Sequence, residues 1–334
     1  MPTSETFAQD PHFSQYSYTP LQLNPAFTGV FDGLARISNS YRSQWSGIGN
    51  GFKTLHISAD APVGKAKLKD KFFGLGGMIY QDKAGEAGFK STILEASLSF
   101  VTPMDAGNDH YFAVGFQAGL NSQSIDVTKA TWDNQWNGDS FDPSLGSGES
   151  IQLPTLNYMD FNAGILYFYA PDGSNSFNIG TSMQHIGSPN VSFYSRGESP
   201  LRQRFNVHTS AEIDVQKEFT WLNPRILYMA QGEQQELTFG ASVKNKVRFK
   251  SRYTNYQKEA YFYGGLYYRW KDAYILQARF EYNTVGLGIS YDVNASTLSN
   301  LAGSANAFEV NFTYVTYVKK GQRSKNYNKM PRFF

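Results

Sequence analysis

The chain has 334 residues, 30 basic and 28 acidic side chains, a net charge of +2 and no cysteine. The near balance of charge excludes nucleic acid as a partner drawn in by a strong field, and the missing thiols exclude disulfides and thiolate metal sites. Charged residues are only 17% while aromatics reach 16% and glycines number 30. No stretch approaches the roughly 18 apolar residues of a membrane helix. This composition suits an outer-membrane β-barrel, in which polar lumen residues offset apolar lipid-facing ones. It suits a large soluble β-sandwich or propeller equally, so the pattern along the chain has to decide.

Residues 1–8, MPTSETFA, lack an apolar core and a basic start, and Thr6-Phe7-Ala8 resembles the small-residue end of a signal cleavage site. They are expected to be a leader remnant. Residues 9–33 are not a strand: Pro11, Pro20 and Pro25 interrupt them, and proline cannot donate to a ladder. Phe13, Tyr16, Tyr18, Leu21, Leu23 and Phe27 carry too much apolar surface for a free tail, so the segment is expected to pack at the periplasmic mouth or inside a lumen.

Alternation of period two then begins. Arg36–Trp45 puts Ile37, Tyr41 and Trp45 on one face, and Lys53–Ala61 sets Leu55, Ile57 and Ala59 against His56, Ser58 and Asp60. Phe72–Gln81 follows; in Phe89–Val101, Leu94, Leu98 and Phe100 oppose Glu95, Ser97 and Ser99. Tyr111–Leu120 sets Phe112, Val114 and Phe116 against Gly115, Gln117 and Gly119. Glycines on the polar face would let the wall curve or let a plug approach closely.

Residues 121–154 break the rhythm with Asp, Asn, Gly and Ser around Trp132, Trp136 and Phe141. A connection that long is usually functional or disordered, and in a barrel the long loops face outward from the cell. Asp133, Asn137, Asp139 and Asp142 hint at a calcium loop, but the third ligand position is Gln135 and the twelfth Ser144, so the spacing fails and no metal site is assigned. Strands resume at Tyr158–Tyr169 and Ser176–Ile186, followed by a second loop to residue 203 with Tyr194 and Arg196. Phe205–Val215 is expected as a clean strand, Phe219–Ala230 as one with a bulge or an imperfect ladder at Pro224, then Glu236–Val247, Ala260–Trp270, Tyr274–Tyr282 and Val285–Val293. After a polar loop at 294–306, Ala307–Val318 alternates Phe308, Val310, Phe312 and Tyr314 with Glu309, Asn311 and Thr313, a strand about the roughly 9–11 residues needed to cross a bilayer at a tilt.

The expected fold is therefore all-β: an up-and-down antiparallel transmembrane β-barrel of about fourteen strands over residues 34–319, with a periplasmic tail at 320–334 and both termini periplasmic. By parity His56, Asp60, Glu95, Glu212, Asp214, Arg279 and Glu281 line the interior. A barrel of that width must hold water, a plug or a ligand. The five histidines are scattered and no catalytic or phosphate-binding motif occurs, so neither an enzyme nor a cofactor is expected.

Asp10, Pro11, Phe13, Gln15 and Tyr16, then Asn24, Pro25 and Gly29 within LNPAFTG, resemble the opening of the PorP/SprF family of outer-membrane proteins. Tyr41-Arg42-Ser43-Gln44-Trp45, Tyr291-Asp292-Val293-Asn294 and Met330-Pro331-Arg332-Phe333 continue the resemblance. It implies an outer-membrane component of the type IX secretion and gliding machinery of Bacteroidetes. The implied partners are outer-membrane lipid, other components of that machinery and a secreted surface adhesin with a C-terminal sorting domain. The extracellular loops, with Trp132, Trp136, Phe141, Tyr194 and Arg196, would dock the surface partner. The alternative is a passive pore or hydrophobic-solute transporter, for which the proline- and tyrosine-rich opening block has no evident use.

Overall fold

A strand with one apolar and one polar face cannot leave its edge unpaired in hydrocarbon, and closure is the arrangement that removes edges. The computed structural model describes residues 10, 12–45, 51–64, 68, 70–85, 88–126, 129, 132–142, 144–146, 148, 154–171, 174–194, 197–248, 258–295 and 306–317. It closes fourteen antiparallel strands into one barrel in sequence order. These are β1 (Ala35–Gln44), β2 (Phe52–Val63), β3 (Phe72–Ala84), β4 (Phe89–Pro103), β5 (His110–Ser124), β6 (Thr155–Tyr169), β7 (Ser176–Gln184), β8 (Arg204–Asp214), β9 (Thr220–Gln231), β10 (Gln234–Arg248), β11 (Ala260–Arg269), β12 (Ala273–Tyr282), β13 (Val285–Asn294) and β14 (Ala307–Thr316). The seam is sealed by β14 on β1, from Ala35 opposite Thr316 to Gln44 opposite Ala307.

The expected faces are realised. Leu55, Ile57, Leu94, Leu98, Phe116, Leu276, Leu287, Ile289 and Phe312 are exposed on the outer surface, whereas His56, Ser58, Asp60, Glu95, Gln117, Asn162 and Asn311 are buried inside. The exposed tyrosines and tryptophan of the wall gather toward the strand ends, with Tyr41, Trp270, Tyr274 and Tyr291 toward one rim and Tyr282 and Tyr314 toward the other, as interfacial belts do, while exposed phenylalanines such as Phe116 and Phe312 also lie mid-strand. Of the two expectations at Pro224, the imperfect strand is realised and the bulge is not. Pro224 pairs with Ala241 on β10, and on the β8 side the register is the same above and below it, with the ladder open between Ser210–Arg225 and Ile213–Leu222. A prolyl nitrogen has no hydrogen to give, so the ladder parts locally and needs no extra residue.

Call the rim where β1 begins and β14 ends the lower rim. The three connections between β5 and β6, β7 and β8, and β13 and β14, which hold the loops singled out in the sequence, all lie on the opposite, upper rim. The lower-rim hairpins 104–109, 215–219 and 283–284 are short, the last turning with Asn283 at φ 56°.

Residues 12–33 fill the lumen. They descend as three short helical turns, Tyr16–Tyr18, Pro20–Leu23 and Pro25–Phe27, each too brief for a strand and two of them opened by proline at a position where no donor is lost. Phe13, Leu21, Leu23, Ala26, Phe27, Val30 and Phe31 are all buried. The segment is thus luminal. Asp10, its first described residue, touches Gln231 and His185 near the upper rim, while the last described strand ends at the lower one. Expectations for the leader, Pro11, Arg196 and the tail at 320–334 fall outside the described residues.

Candidate functional site

The best-built feature of the molecule is the junction between this plug and the wall. A plug with few regular hydrogen bonds of its own must have its backbone groups satisfied by something else. Here the wall does it with side chains. Gln117 Nε2 donates to Leu21 O at 2.9 Å, Ser182 Oγ to Leu23 O at 2.7 Å, Gln184 Nε2 to Gln22 O at 2.6 Å, Ser99 Oγ to Thr28 O at 2.6 Å and Gln277 Nε2 to Ser14 O at 3.1 Å. Ser38 Oγ donates to Tyr18 O.

Asn24 is the central pin. Its Oδ1 accepts from Ala26 N at 2.9 Å, which fixes the amide's orientation and aims Nδ2 at the wall. There Nδ2 meets Ile165 O at 3.0 Å, Thr181 O at 3.2 Å and His208 Nε2 at 3.1 Å. The amide has two hydrogens to share among these three partners, and toward His208 Nε2 it can only be the donor. Glycines make room for the approach. A β-carbon at Gly115 would lie 2.3 Å from Ala26 N, one at Gly74 1.9 Å from Thr28 O, and one at Gly164 2.1 Å from Asn24 Oδ1. At Gly74 and Gly115 plug backbone touches wall backbone, at Gly164 the missing side chain admits the Asn24 amide, and Gly119 meets only its wall neighbours Leu94 and Glu95.

Charge locks both ends. Toward the upper rim Glu309 accepts from Ser14 N at 2.8 Å and Gln15 N at 2.9 Å, and pairs with Arg42 at 3.1 Å. Asp292 accepts from Ser14 Oγ at 2.5 Å and pairs with Arg42 at 3.1 Å and Arg269 at 3.2 Å. Lower down, Asp60 accepts from Gly29 N at 2.7 Å while Arg36 holds it from the side at 2.7 Å. These ions are buried, and each has several charge-assisted bonds, the condition under which burial of charge is tolerated.

The seven charges expected in the lumen divide by role. Asp60 binds the plug; Glu95 accepts from Asn162 Nδ2 at 3.0 Å; Arg279 pairs with Glu281 at 2.8 Å and covers the Tyr18 ring at 4.0 Å; Glu212 pairs with Lys244 at 3.0 Å. His56 meets Phe13 edge-on at 6.0 Å. Asp214 serves the lower-rim turn, accepting from Glu218 N at 2.8 Å, and does not reach the plug. Arg36, Arg42, Arg269, Asp292 and Glu309, which do most of the locking, were not singled out as lumen charges. The available signal was parity: Arg42, Asp292 and Glu309 all fall on the polar face of their strands.

A last latch sits near the upper rim. His185, just past β7, holds Asp10 through Nε2 at 2.6 Å and Asp160 through Nδ1 at 2.6 Å. Burial by itself disfavours charge on both His185 and Asp10. The Asp10 and Asp160 carboxylates nevertheless raise His185 to about 10, and His185 together with Arg204 brings Asp10 down to about 2. The signs follow from linkage. The contribution of His185 is complete below its ordinary 6.5 and is lost as pH climbs toward 10; that of Asp10 is complete above its ordinary 3.8 and is lost as pH falls toward 2. Protection of the amides around Ser14 against hydrogen exchange, corrected for intrinsic rates, is expected to be highest between these limits. It should fall progressively above pH about 6.5, and a flat profile up to pH about 10 would show that the latch does not hold the plug.

The outer loops carry aromatic surface. Trp136 and Phe141 face each other across a short backbone bridge with rings 5.3 Å apart, and both are half exposed, as is Tyr194. Trp132 is partly covered. The acidic and amide side chains nearby close their own turns: Asn137 Oδ1 accepts from Asp139 N and Ser140 N, and Asp142 Oδ1 from Ser144 N.

Several solved outer-membrane barrels share the architecture. The Pseudomonas putida toluene transporter TodX aligns with a TM-score of 0.50 at 10% identity, over 88% of this chain and 92% of that one. A Pseudomonas aeruginosa FadL homologue gives 0.49 at 10% identity over 88% and 93%, and the Ralstonia pickettii toluene transporter TbuX 0.47 at 11% over 90% and 94%. At such identity the likeness is one of fold alone. No curated protein matches the chain. The sequence family described as type IX secretion system membrane protein PorP/SprF matches residues 5–314. With nearly the whole chain matched, barrel and plug included, this protein belongs to the PorP/SprF family of outer-membrane proteins of the type IX secretion system.

Proposed function

We propose that this barrel works without catalysis as an outer-membrane partner of the type IX machinery, helping to export or anchor a surface adhesin that bears a C-terminal sorting domain. The family match over residues 5–314 carries this reading. Two features support it. The lumen holds the chain's own segment on many buried bonds, which suits a rigid support better than a passive pore. The aromatic surface of Trp136, Phe141 and Tyr194 stands at the rim that bears the long loops, where aromatic anchors would be expected in an interface. In the proposed orientation that rim faces the cell exterior and the end of β14 faces the periplasm.

The tagged protein, extracted from outer membranes in mild detergent, is expected to bring down a large adhesin-like chain in near-equal amount. The double substitution W136A and F141A should reduce its recovery at least fivefold, in line with the loss of two anchor side chains at about 1–2 kcal/mol each. Recovery of the barrel alone, together with ion conductance in a planar bilayer, would instead favour the pore or hydrophobic-solute reading.

A further inference from the structure

Between the plug and the lower half of β7–β9 lies a cavity of about 50 Å³. It is bounded on the plug side by Tyr16, Leu23 and Phe27 and on the wall side by His208, Asn223 and Arg225. Arg225 differs from the other well-buried arginines of the lumen. Arg36, Arg42, Arg204, Arg269 and Arg279 all have a carboxylate within 4 Å. Arg225 is 8% exposed. It donates to Ser17 Oγ at 2.6 Å and faces the Tyr18 ring at 5.5 Å, and among the described residues it has no acidic partner. A buried cation without a counter-charge is costly, and proteins seldom leave one in place without a use. The nearest acid lining the cavity, Glu212, is already taken by Lys244 at 3.0 Å.

The guanidinium has five donors in a planar fork, of which Ser17 and the Tyr18 hydroxyl each take one. A bidentate oxyanion is the group that fits the remainder. At about 10–15 Å³ per water-sized group, the cavity has room for a ligand of only a few heavy atoms. Its other walls are the apolar edges of Leu23 and Phe27 and the ring of His208. We propose that this cavity is a binding site for a small monocarboxylate, its two oxygens on Arg225 and its short carbon body against Leu23 and Phe27. Both plug and wall line it, so a bound carboxylate would add a contact between the two. The proposal stands independently of which surface partner the outer loops hold.

The test uses the full chain, folded in detergent, with carboxyl-labelled acetate followed by carbon-13 line broadening. Saturable broadening is expected, displaced by propionate and absent with the neutral isostere acetamide. Two substitutions separate site from fold. R225Q removes the charge. N223D keeps the shape of the Asn223 side chain and places a carboxylate two residues from Arg225 on the same face of β9, supplying from within the anion that the ligand would bring. Both are expected to weaken acetate at least tenfold, while R202Q, at an exposed position outside the cavity, leaves it unchanged. Folded-barrel mobility on unheated gels verifies each variant. Acetate that broadens equally with N223D and wild type, equal broadening by acetamide, or no saturable broadening at all would overturn the proposal.

Discussion

E309A is expected to free the plug from the upper half of the lumen while leaving the barrel folded. Glu309 is the shared acceptor for Ser14 N, Gln15 N and Arg42 Nη1. Its removal strands two backbone donors and part of a guanidinium in a buried place. Breaking a buried ionic cluster by deleting one partner costs roughly 3–5 kcal/mol. The wall itself keeps its fourteen-stranded ladder, because the β1–β14 pairing is made by backbone groups, so the loss falls on the plug. No lysine or arginine occurs between residues 10 and 33, but Phe13, Tyr16 and Tyr18 do, which makes chymotrypsin the informative protease. Cleavage in this stretch should accelerate by two orders of magnitude or more, and channel openings should appear in planar bilayers where the wild type is silent. E309Q keeps one acceptor and should fall between the two. Cleavage and conductance both at the wild-type level in E309A would show that the cluster does not hold the plug.

The second large effect is steric and involves no charge. In G115V the new β-carbon would stand 2.3 Å from Ala26 N and from Pro25 C, both backbone atoms with nowhere to go. Overpacking of this kind costs about 1–3 kcal/mol, yet valine is a better strand residue than glycine, so β5 should form at least as well as before. The expected result is a barrel of normal heat stability with a displaced plug, read by the same cleavage and conductance measurements. G264V is the matched control: this glycine is also in a strand but faces outward, with Phe262 at 3.9 Å as the nearest atom to a new β-carbon. Equal behaviour of the two variants would refute the view that Gly115 is there for the plug.

Much of the wall was legible because period-two alternation records a physical choice at every residue, lipid or interior. Leu94, Leu98 and Phe100 against Glu95, Ser97 and Ser99 could hardly be arranged otherwise. The plug was legible only in outline. Pro11, Pro20 and Pro25 ruled out a strand, and the buried weight of Phe13, Leu21 and Phe27 required cover, but nothing local names the wall residue that each one meets. Asn24 and His208, or Ser14 and Asp292, are separated by 184 and 278 positions, and such pairs exist only once the barrel has closed. Parity put Asp60, Glu95, Asp292 and Glu309 alike on polar faces, but a side chain's face says that it points inward and not what it finds there, so nothing marked Asp292 and Glu309 as residues that grip the plug. At Pro224 the imide nitrogen left a bulge and an imperfect strand both open, and the ladder opened for two residues with its register unchanged.

The pair formed by Arg42 and Glu309 has a bearing on assembly. These two residues stand opposite each other on β1 and β14, the first and last strands, across the seam that shuts the barrel. Glu309 is also the residue that grips the plug at Ser14 and Gln15. The two residues lie 267 positions apart in the chain, and closing that longest loop carries the largest entropic cost of any strand pairing in the barrel. Bringing β14 onto β1 also brings up the carboxylate that holds Ser14 and Gln15, so the upper anchor of the plug is complete only in a sealed barrel, although the seam does not need the plug in order to stay shut.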